Sequence, residues 1–274
     1  MTGAPGAPPA AHPLTADQVA HFAEHGYVLL PEVFTPAECD EIASHIGQAA
    51  FALDLGRAED GTLTYRPMMH LASPELTAVA TARRWSEIVP RLLAAAGGED
   101  PGDVRLYWEQ AVAKPPSART ELPWHQDNGY TPLIPEAYLT CWLALDDADV
   151  DNGCLWVIPG SHRQSTLPHH NATDGGPFRV GYDGPAADGV PVPVPKGAVL
   201  AFSSLLLHRS GPNTSARRRL AWILQYCGAG ARSALSGKVL ADRLRLSRDG
   251  LWLDEPERER DFDLLAVLAN YDQR

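Results

Sequence analysis

The sequence predicts a mainly β fold with flanking helices, a jelly roll, and two observations carry that expectation. Up to about residue 100, apolar residues recur at helical spacing behind recognisable capping residues. Beyond Asp103 the pattern changes to short apolar or alternating runs between Pro, Gly and Asp/Asn clusters, which reads as antiparallel strands. A helical first part feeding a many-stranded second part is a sheet sandwich buttressed by helices. No internal repeat is visible.

Each element has a local reason. Thr15-Ala16-Asp17-Gln18 is a capping box, and Leu14 and Val19 are placed as its hydrophobic staple. The helix it opens should stop at Gly26, which lacks a Cβ. Tyr27-Val28-Leu29-Leu30 reads as a buried strand. Thr35-Pro36-Ala37-Glu38 repeats the capping device with Pro at the first helical position, opening a second helix through about Ala50. Ser73-Pro74 begins a third helical region over 75–96 that ends at Gly97-Gly98, and Pro90 is expected to break it in two. Strands are predicted over 104–112, 124–127, 138–145, 154–159, 190–194, 198–203, 208–210 and 220–226, with turns at 149–153 and 195–197.

Two stretches without periodicity, 51–71 and 164–189, are long enough to be functional lids. Residues 1–13, rich in Ala, Pro and Gly, are expected to be disordered. Residues 14–274 then form a single domain with its jelly-roll core over about 103–227, and the segment from Gly228 onward matches no pattern.

Composition narrows the function classes. The chain has 274 residues, 45% hydrophobic and 21% charged, as in an ordinary globular protein. A net charge of -11 argues against nucleic acid and anionic membrane surfaces as partners. Cys39, Cys141, Cys154 and Cys227 form no C-x-x-C pair and read as reduced, mostly buried thiols. With no apolar run long enough to span a bilayer and no signal-peptide pattern, the expected location is cytoplasmic.

The chemistry centres on Leu122-Pro123-Trp124-His125-Gln126-Asp127-Asn128-Gly129. On a strand, His125 and Asp127 point the same way, giving one nitrogen and one oxygen ligand on a rigid backbone. His208 is the candidate for a third, distant corner. Two histidines and one carboxylate on one face of a metal, with open positions opposite, is the arrangement of non-haem Fe(II) oxygenases. The same three ligands also suit Zn²⁺ in a metal hydrolase. A jelly-roll binding protein that kept the scaffold without catalysis is the third possibility.

Several motifs in order carry a resemblance. Trp124-His125-Gln126-Asp127, then Asp151-Asn152-Gly153-Cys154-Leu155 leading into Ile158-Pro159-Gly160-Ser161-His162, then His208-Arg209-Ser210-Gly211-Pro212-Asn213 are similar to successive signatures of the phytanoyl-CoA dioxygenase family. Glu24-His25-Gly26-Tyr27 and Lys114-Pro115-Pro116 resemble further habits of that family, so the likeness runs from Leu14 to Tyr226. It implies a double-stranded β-helix (cupin-like) fold and the use of Fe(II), 2-oxoglutarate and O₂.

The resemblance assigns the metal to His125, Asp127 and His208. It places an Arg for the far carboxylate of 2-oxoglutarate on the strand after the distal histidine, where Arg217, Arg218 and Arg219 compete. Alternation with Ala221, Ile223 and Gln225, and the family spacing, select Arg219, whose planar fork suits a carboxylate. Ser210 as a hydroxyl donor, Gln110 on the cosubstrate and Trp142 as an aromatic wall complete the cosubstrate set. His169, His170, Arg217 and Arg218 read as solvated, His162 as structural and Trp142 equally as core.

Hydroxylation of an unactivated C–H bond in a small-molecule metabolite is the expected reaction, with succinate and CO₂ released. Desaturation, epoxidation, ring closure and epimerisation start from the same oxidative step. Iron halogenases of this scaffold leave the carboxylate position empty; Asp127 fills it. Tyr65, Arg66, Met69, Asn128 and Tyr130 are the candidate substrate-lining residues. The two lids are acidic and poor in Lys and Arg, which suits a free neutral or cationic compound better than a CoA ester.

Overall fold

The computed structural model describes residues 12–52, 64–97, 102–130, 132–171, 180–182, 184 and 189–260. The tail expected to be disordered falls almost wholly outside them, as do 53–63 and most of 172–188 in the two candidate lids.

The helical part follows its caps. In α1 (Ala16–His25), Thr15 Oγ1 accepts the Gln18 N–H at 3.2 Å and Gln18 Oε1 accepts the Thr15 N–H at 2.9 Å. Gly26 closes the helix at φ 82°, and β1 (Tyr27–Leu30) leaves it directly. Thr35 and Glu38 cap α2 (Pro36–Ala52) in the same reciprocal way. Next come β2 (Thr64–Pro67) and a 3-10 turn over Met69–Ala72, then α3 (Pro74–Thr81) and α4 (Trp85–Gly97).

The break between α3 and α4 lies at residues 82–84, six to eight residues before Pro90, and Pro90 sits inside α4. The reason is that three side chains take the last carbonyls of α3. Trp85 Nε1 donates to Val79 O at 2.9 Å, Tyr226 Oη to Ala80 O at 2.8 Å and Trp252 Nε1 to Thr81 O at 2.9 Å. Pro90 costs α4 one amide donor, which burial of Trp85, Ile88, Val89, Leu92 and Leu93 offsets.

The strands continue as β3 (Val104–Lys114), β4 (Leu122–His125), β5 (Leu133–Ile134), β6 (Leu139–Ala144), β7 (Leu155–Val157), β8 (His169–Asn171), β9 (Val180–Tyr182) and β10 (Val190–Val192). They end with β11 (Val199–Ser203), β12 (His208–Ser210), β13 (Arg219–Gly228), β14 (Arg232–Ser233), β15 (Leu244–Arg248) and β16 (Leu251–Glu257). A large antiparallel sheet runs β1-β11-β6-β13-β3-β15-β16, with β2 also paired to β3. A small sheet runs β10-β7-β12-β4. This is the double-stranded β-helix, or jelly roll, that the sequence predicted. The three- and four-residue strands β2, β8 and β9 fall within the two aperiodic stretches because they are too short to carry alternation.

The large sheet is buried on both faces, and period-two alternation sorts its side chains. Leu139, Cys141, Leu143, Trp222, Leu224 and Tyr226 face the helices. Trp142, Ala144, Leu200, Phe202 and Ala221 face the small sheet. The unassigned segment after Gly228 extends the large sheet: β15 pairs with β3, and buried Arg105 donates to Ala229 O, Arg243 O and Glu259.

Candidate active site

A cavity opens between the two sheets. It is lined by Tyr65, Gln110, Val112, Leu122, His125, Asp127, Thr140, Trp142, Leu155, Phe202, His208, Ser210, Arg219 and Ile223. His125 ends β4 and His208 begins β12, and the two are direct partners across those strands. Asp127 is not in the strand predicted over 124–127. β4 stops at His125, and Asp127 opens a 3-10 turn over Asp127–Gly129. Gln126 between them stays extended (φ -109°, ψ 140°), so the two side chains still share a face.

The geometry is that of three metal ligands. Asp127 Oδ1 lies 3.7 Å from His125 Nε2 and 3.5 Å from His208 Nε2. One ligand atom from each residue lies within 4.8 Å of the others. Both imidazoles are locked the same way. His125 Nδ1 donates to Pro123 O at 2.8 Å and His208 Nδ1 to Leu206 O at 2.9 Å. Because a carbonyl can only accept, Nδ1 carries the proton in each ring, and Nε2 turns its lone pair to the shared point. Burial, and then His208, holds His125 well below the usual imidazole range, which favours the neutral ring.

The Asp127 carboxylate is held from behind. Its Oδ2 accepts from Thr140 Oγ1 at 2.6 Å and from Gln225 Nε2 at 3.0 Å, while Gln225 also reaches Thr140 at 3.2 Å. This leaves Oδ1 for the cavity. Neither Thr140 nor Gln225 was singled out from the sequence. The usable signal was period: Thr140 is in phase with Trp142, and Gln225 with Arg219.

Arg219 is 1% exposed, lines the same cavity and has no ion pair among the described residues. Its Nε has no hydrogen-bond partner, and its guanidinium carbon lies 5.5 Å from the Trp142 ring centroid. Burial pulls it down to about 10. A buried cation with an unpartnered donor, and no carboxylate paired to it among the described residues, fits an incoming carboxylate. Arg217 and Arg218 are half exposed and paired with Asp149 and Asp146, as their reading as surface charges requires.

Ser210, Gln110, Trp142 and Tyr65 line the cavity as expected. Trp108 Nε1 donates to Gln110 Oε1 at 2.8 Å and to Tyr65 Oη at 3.2 Å, which turns the Gln110 NH₂ away from Trp108. Tyr130 packs edge-on against His125, ring centroids 5.3 Å apart, without lining the cavity.

Four residues are placed differently from expectation. Arg66 pairs with Ala111 on β3, on the face opposite Tyr65 and away from the cavity. Met69 is fully buried in the core under the helices because the 3-10 turn folds it inward. Asn128 is fully buried but points away from the metal ligands, donating to Thr166 Oγ1 at 2.6 Å and accepting the Leu133 N–H at 3.0 Å. His169 is not a solvated loop residue: it begins β8, and its Nε2 accepts the Gln126 N–H at 2.9 Å. His170 beside it is exposed.

A β-sandwich cavity with a two-histidine, one-carboxylate triad and an unpaired buried arginine defines a non-haem Fe(II)/2-oxoglutarate oxygenase. The chain belongs to the phytanoyl-CoA dioxygenase family, whose model matches residues 22–221. It is 32% identical over 118 residues to an Arabidopsis thaliana phytanoyl-CoA dioxygenase, a match spanning 41% of each chain. To the "Probable alpha-ketoglutarate-dependent hypophosphite dioxygenase" of Stutzerimonas stutzeri it is 28% identical over 233 residues, 79% of each. The matched stretch thus spans less than two thirds of the Arabidopsis relative. Among solved structures it is similar to the non-heme alpha ketoglutarate dependent carbocyclase SnoK from nogalamycin biosynthesis. That likeness has a TM-score of 0.66 and 27% identity, and covers 83% of this chain and 89% of SnoK.

Proposed function

We propose that the protein is an Fe(II)- and 2-oxoglutarate-dependent dioxygenase that hydroxylates an unactivated C–H bond of a small-molecule metabolite. The observation that carries this is the shared cavity: three ligand atoms within 4.8 Å of one another, and a buried arginine with no counter-ion among the described residues. A hydrolase has no use for that arginine. In this reading His125 Nε2, His208 Nε2 and Asp127 Oδ1 hold the metal. Bound Fe(II) with 2-oxoglutarate supplies oxidation by O₂, with succinate and CO₂ as coproducts.

The remaining residues bind and orient. Arg219 pairs with the far carboxylate of 2-oxoglutarate, with Ser210 and Gln110 as further donors and Trp142 as the wall beneath it. Tyr65 lines the cavity as a substrate-facing residue, and Tyr130 backs His125 from outside it. Trp142, Phe202, Leu155 and Ile223 make the cavity largely apolar, which excludes water and suits an apolar substrate body. A free compound rather than a CoA ester remains the proposal; the acidic lid residues that suggested it, such as Asp54, Glu59, Asp60, Asp174, Asp183 and Asp188, lie outside the described residues. A role in bacterial secondary metabolism, in the cytoplasm, completes the reading. Two things favour this setting: likeness to SnoK, and the lack among the described residues of a helix long and apolar enough to cross a membrane.

The likeness to SnoK also favours a second outcome, oxidative ring closure. Substrate-dependent succinate release, scanned over free metabolites and acyl-CoA esters and followed by product mass, separates these. Hydroxylation adds one oxygen atom, whereas ring closure removes two hydrogens. Coupling with CoA esters alone overturns the free-substrate reading, and absence of succinate with every compound overturns the activity.

A further inference from the structure

The run His125-Gln126-Asp127-Asn128 has two faces. The odd positions look into the cavity, and the even positions look the other way yet are completely buried. What buries them is the start of the second candidate lid. Asn128 Nδ2 donates to Thr166 Oγ1 at 2.6 Å, and Gln126 Oε1 accepts the Leu167 N–H at 2.7 Å. The third tie is the His169 bond to the Gln126 N–H at 2.9 Å. On its far side Gln126 Nε2 donates to Leu205 O at 2.7 Å, in the turn that leads into His208. Gln126 thus joins the backbone carrying two ligands to the backbone carrying the third.

His169 is built for this contact. Its Nδ1 donates to Leu167 O at 2.7 Å, the same two-residue device that fixes His125 and His208. That leaves Nε2 as an acceptor, and it takes a backbone amide instead of a metal. The ring lies flush on the turn: a Cβ at Gly129 would sit 2.7 Å from three of its atoms, so Gly129 is what lets it approach.

We infer that His169 is a positioning residue, and that the strap 166–171 sets the metal ligands by hydrogen bonds to the back of the ligand turn. The inference rests on the proposed metal role of the triad. Seating the strap and assembling the ligand set become one event, because Gln126 cannot satisfy its buried amide without both the strap and the 203–207 turn.

The test uses the full chain with Co(II), whose visible absorption reports coordination geometry, and Fe(II) with 2-oxoglutarate under anaerobic conditions. His169→Phe keeps the ring and removes the acceptor. It is expected to weaken Co(II) binding at least tenfold and change the Co(II) spectrum, and His169→Gln, which restores an acceptor oxygen, is expected to recover both. Thr166→Val, which leaves the His169 ring in place, is expected to move affinity in the same direction by a smaller factor, and it covers the case in which the Phe variant does not fold. Wild-type affinity and spectrum in the folded variants would overturn the positioning role. Failure of the wild-type chain to bind either metal would instead overturn the proposed function and leave the strap contacts without that purpose.

Discussion

Thr140 Oγ1 lies 2.6 Å from Asp127 Oδ2, and Thr140 is itself the cross-strand partner of Gln225, which bonds the same oxygen. Two donors from neighbouring strands therefore fix one oxygen of the carboxylate and leave the other for a metal. Partners of this kind typically contribute about 10–100-fold to metal affinity. Thr140→Val, which keeps the shape, is expected to lower Fe(II) affinity within that range, measured by competition with a chelator. Gln225→Leu should do the same, and the double variant should fall short of the product because both act on one atom. Unchanged affinity in both single variants would show that the carboxylate needs no support.

The three consecutive arginines should separate sharply. Deleting one partner of a buried charge pair costs about 2–5 kcal/mol, so Arg219→Ala should raise the 2-oxoglutarate requirement by at least thirtyfold. Arg217 and Arg218 form half-exposed pairs with Asp149 and Asp146, which solvent screens. Their alanine variants should bind 2-oxoglutarate as the wild type does. Calorimetric titration of the metal-loaded protein reads all three, and a larger effect at Arg217 would move the assignment.

Lys114 gives a pH prediction. It is fully buried opposite Arg219 on the same sheet face, donating to Ser210 O at 3.3 Å and to Gly211 O. Burial, with Arg219 adding to it, pushes its ammonium from 10.5 down to about 7. Between those values the unfolded chain binds the proton and the folded chain does not. Stability from this group therefore rises as pH rises from about 7 towards 10.5, and is lowest below about 7. The wild type minus Lys114→Gln difference in unfolding free energy, followed by denaturant titration from pH 6 to about 10, should grow with pH. A flat or falling difference would mean Lys114 stays charged in the fold.

Reaction type is also open to test through Asp127. In the proposed site its carboxylate would fill the position that halogenases of this scaffold leave to chloride. Turnover in chloride buffer, followed by mass spectrometry, should therefore yield no halogenated product. A chlorinated product from the wild type would contradict the placement of Asp127 as a ligand.

Much of the site was legible because strands write their two faces in alternate residues. Alternation puts His125 and Asp127 on one face and separates Arg219 from its neighbours; His208 comes from the motif resemblance, and the caps Thr15 and Thr35 from their capping-box spacing. What alternation cannot give is the partner strand. Thr140 and Gln225 were in phase with Trp142 and Arg219, yet their joint hold on Asp127 depends on β6 lying beside β13. Nor does it give the direction of the chain after a strand ends, which is why Asn128 and Met69 were placed at the cavity and lie elsewhere. The break before Trp85 was invisible for a third reason: Tyr226 and Trp252, which cap α3, stand 146 and 171 residues from the carbonyls they bond.

In the proposed site His125, Asp127, His208 and Arg219 together hold Fe(II) and 2-oxoglutarate. Anaerobic addition of 2-oxoglutarate to the Fe(II)-loaded chain tests it, because chelation of Fe(II) by a 2-oxoacid produces a visible charge-transfer band. The wild type should develop that band, Arg219→Ala should need far more 2-oxoglutarate to do so, and His208→Ala should not develop it. No band in the wild type, or an undiminished band in His208→Ala, would contradict the account.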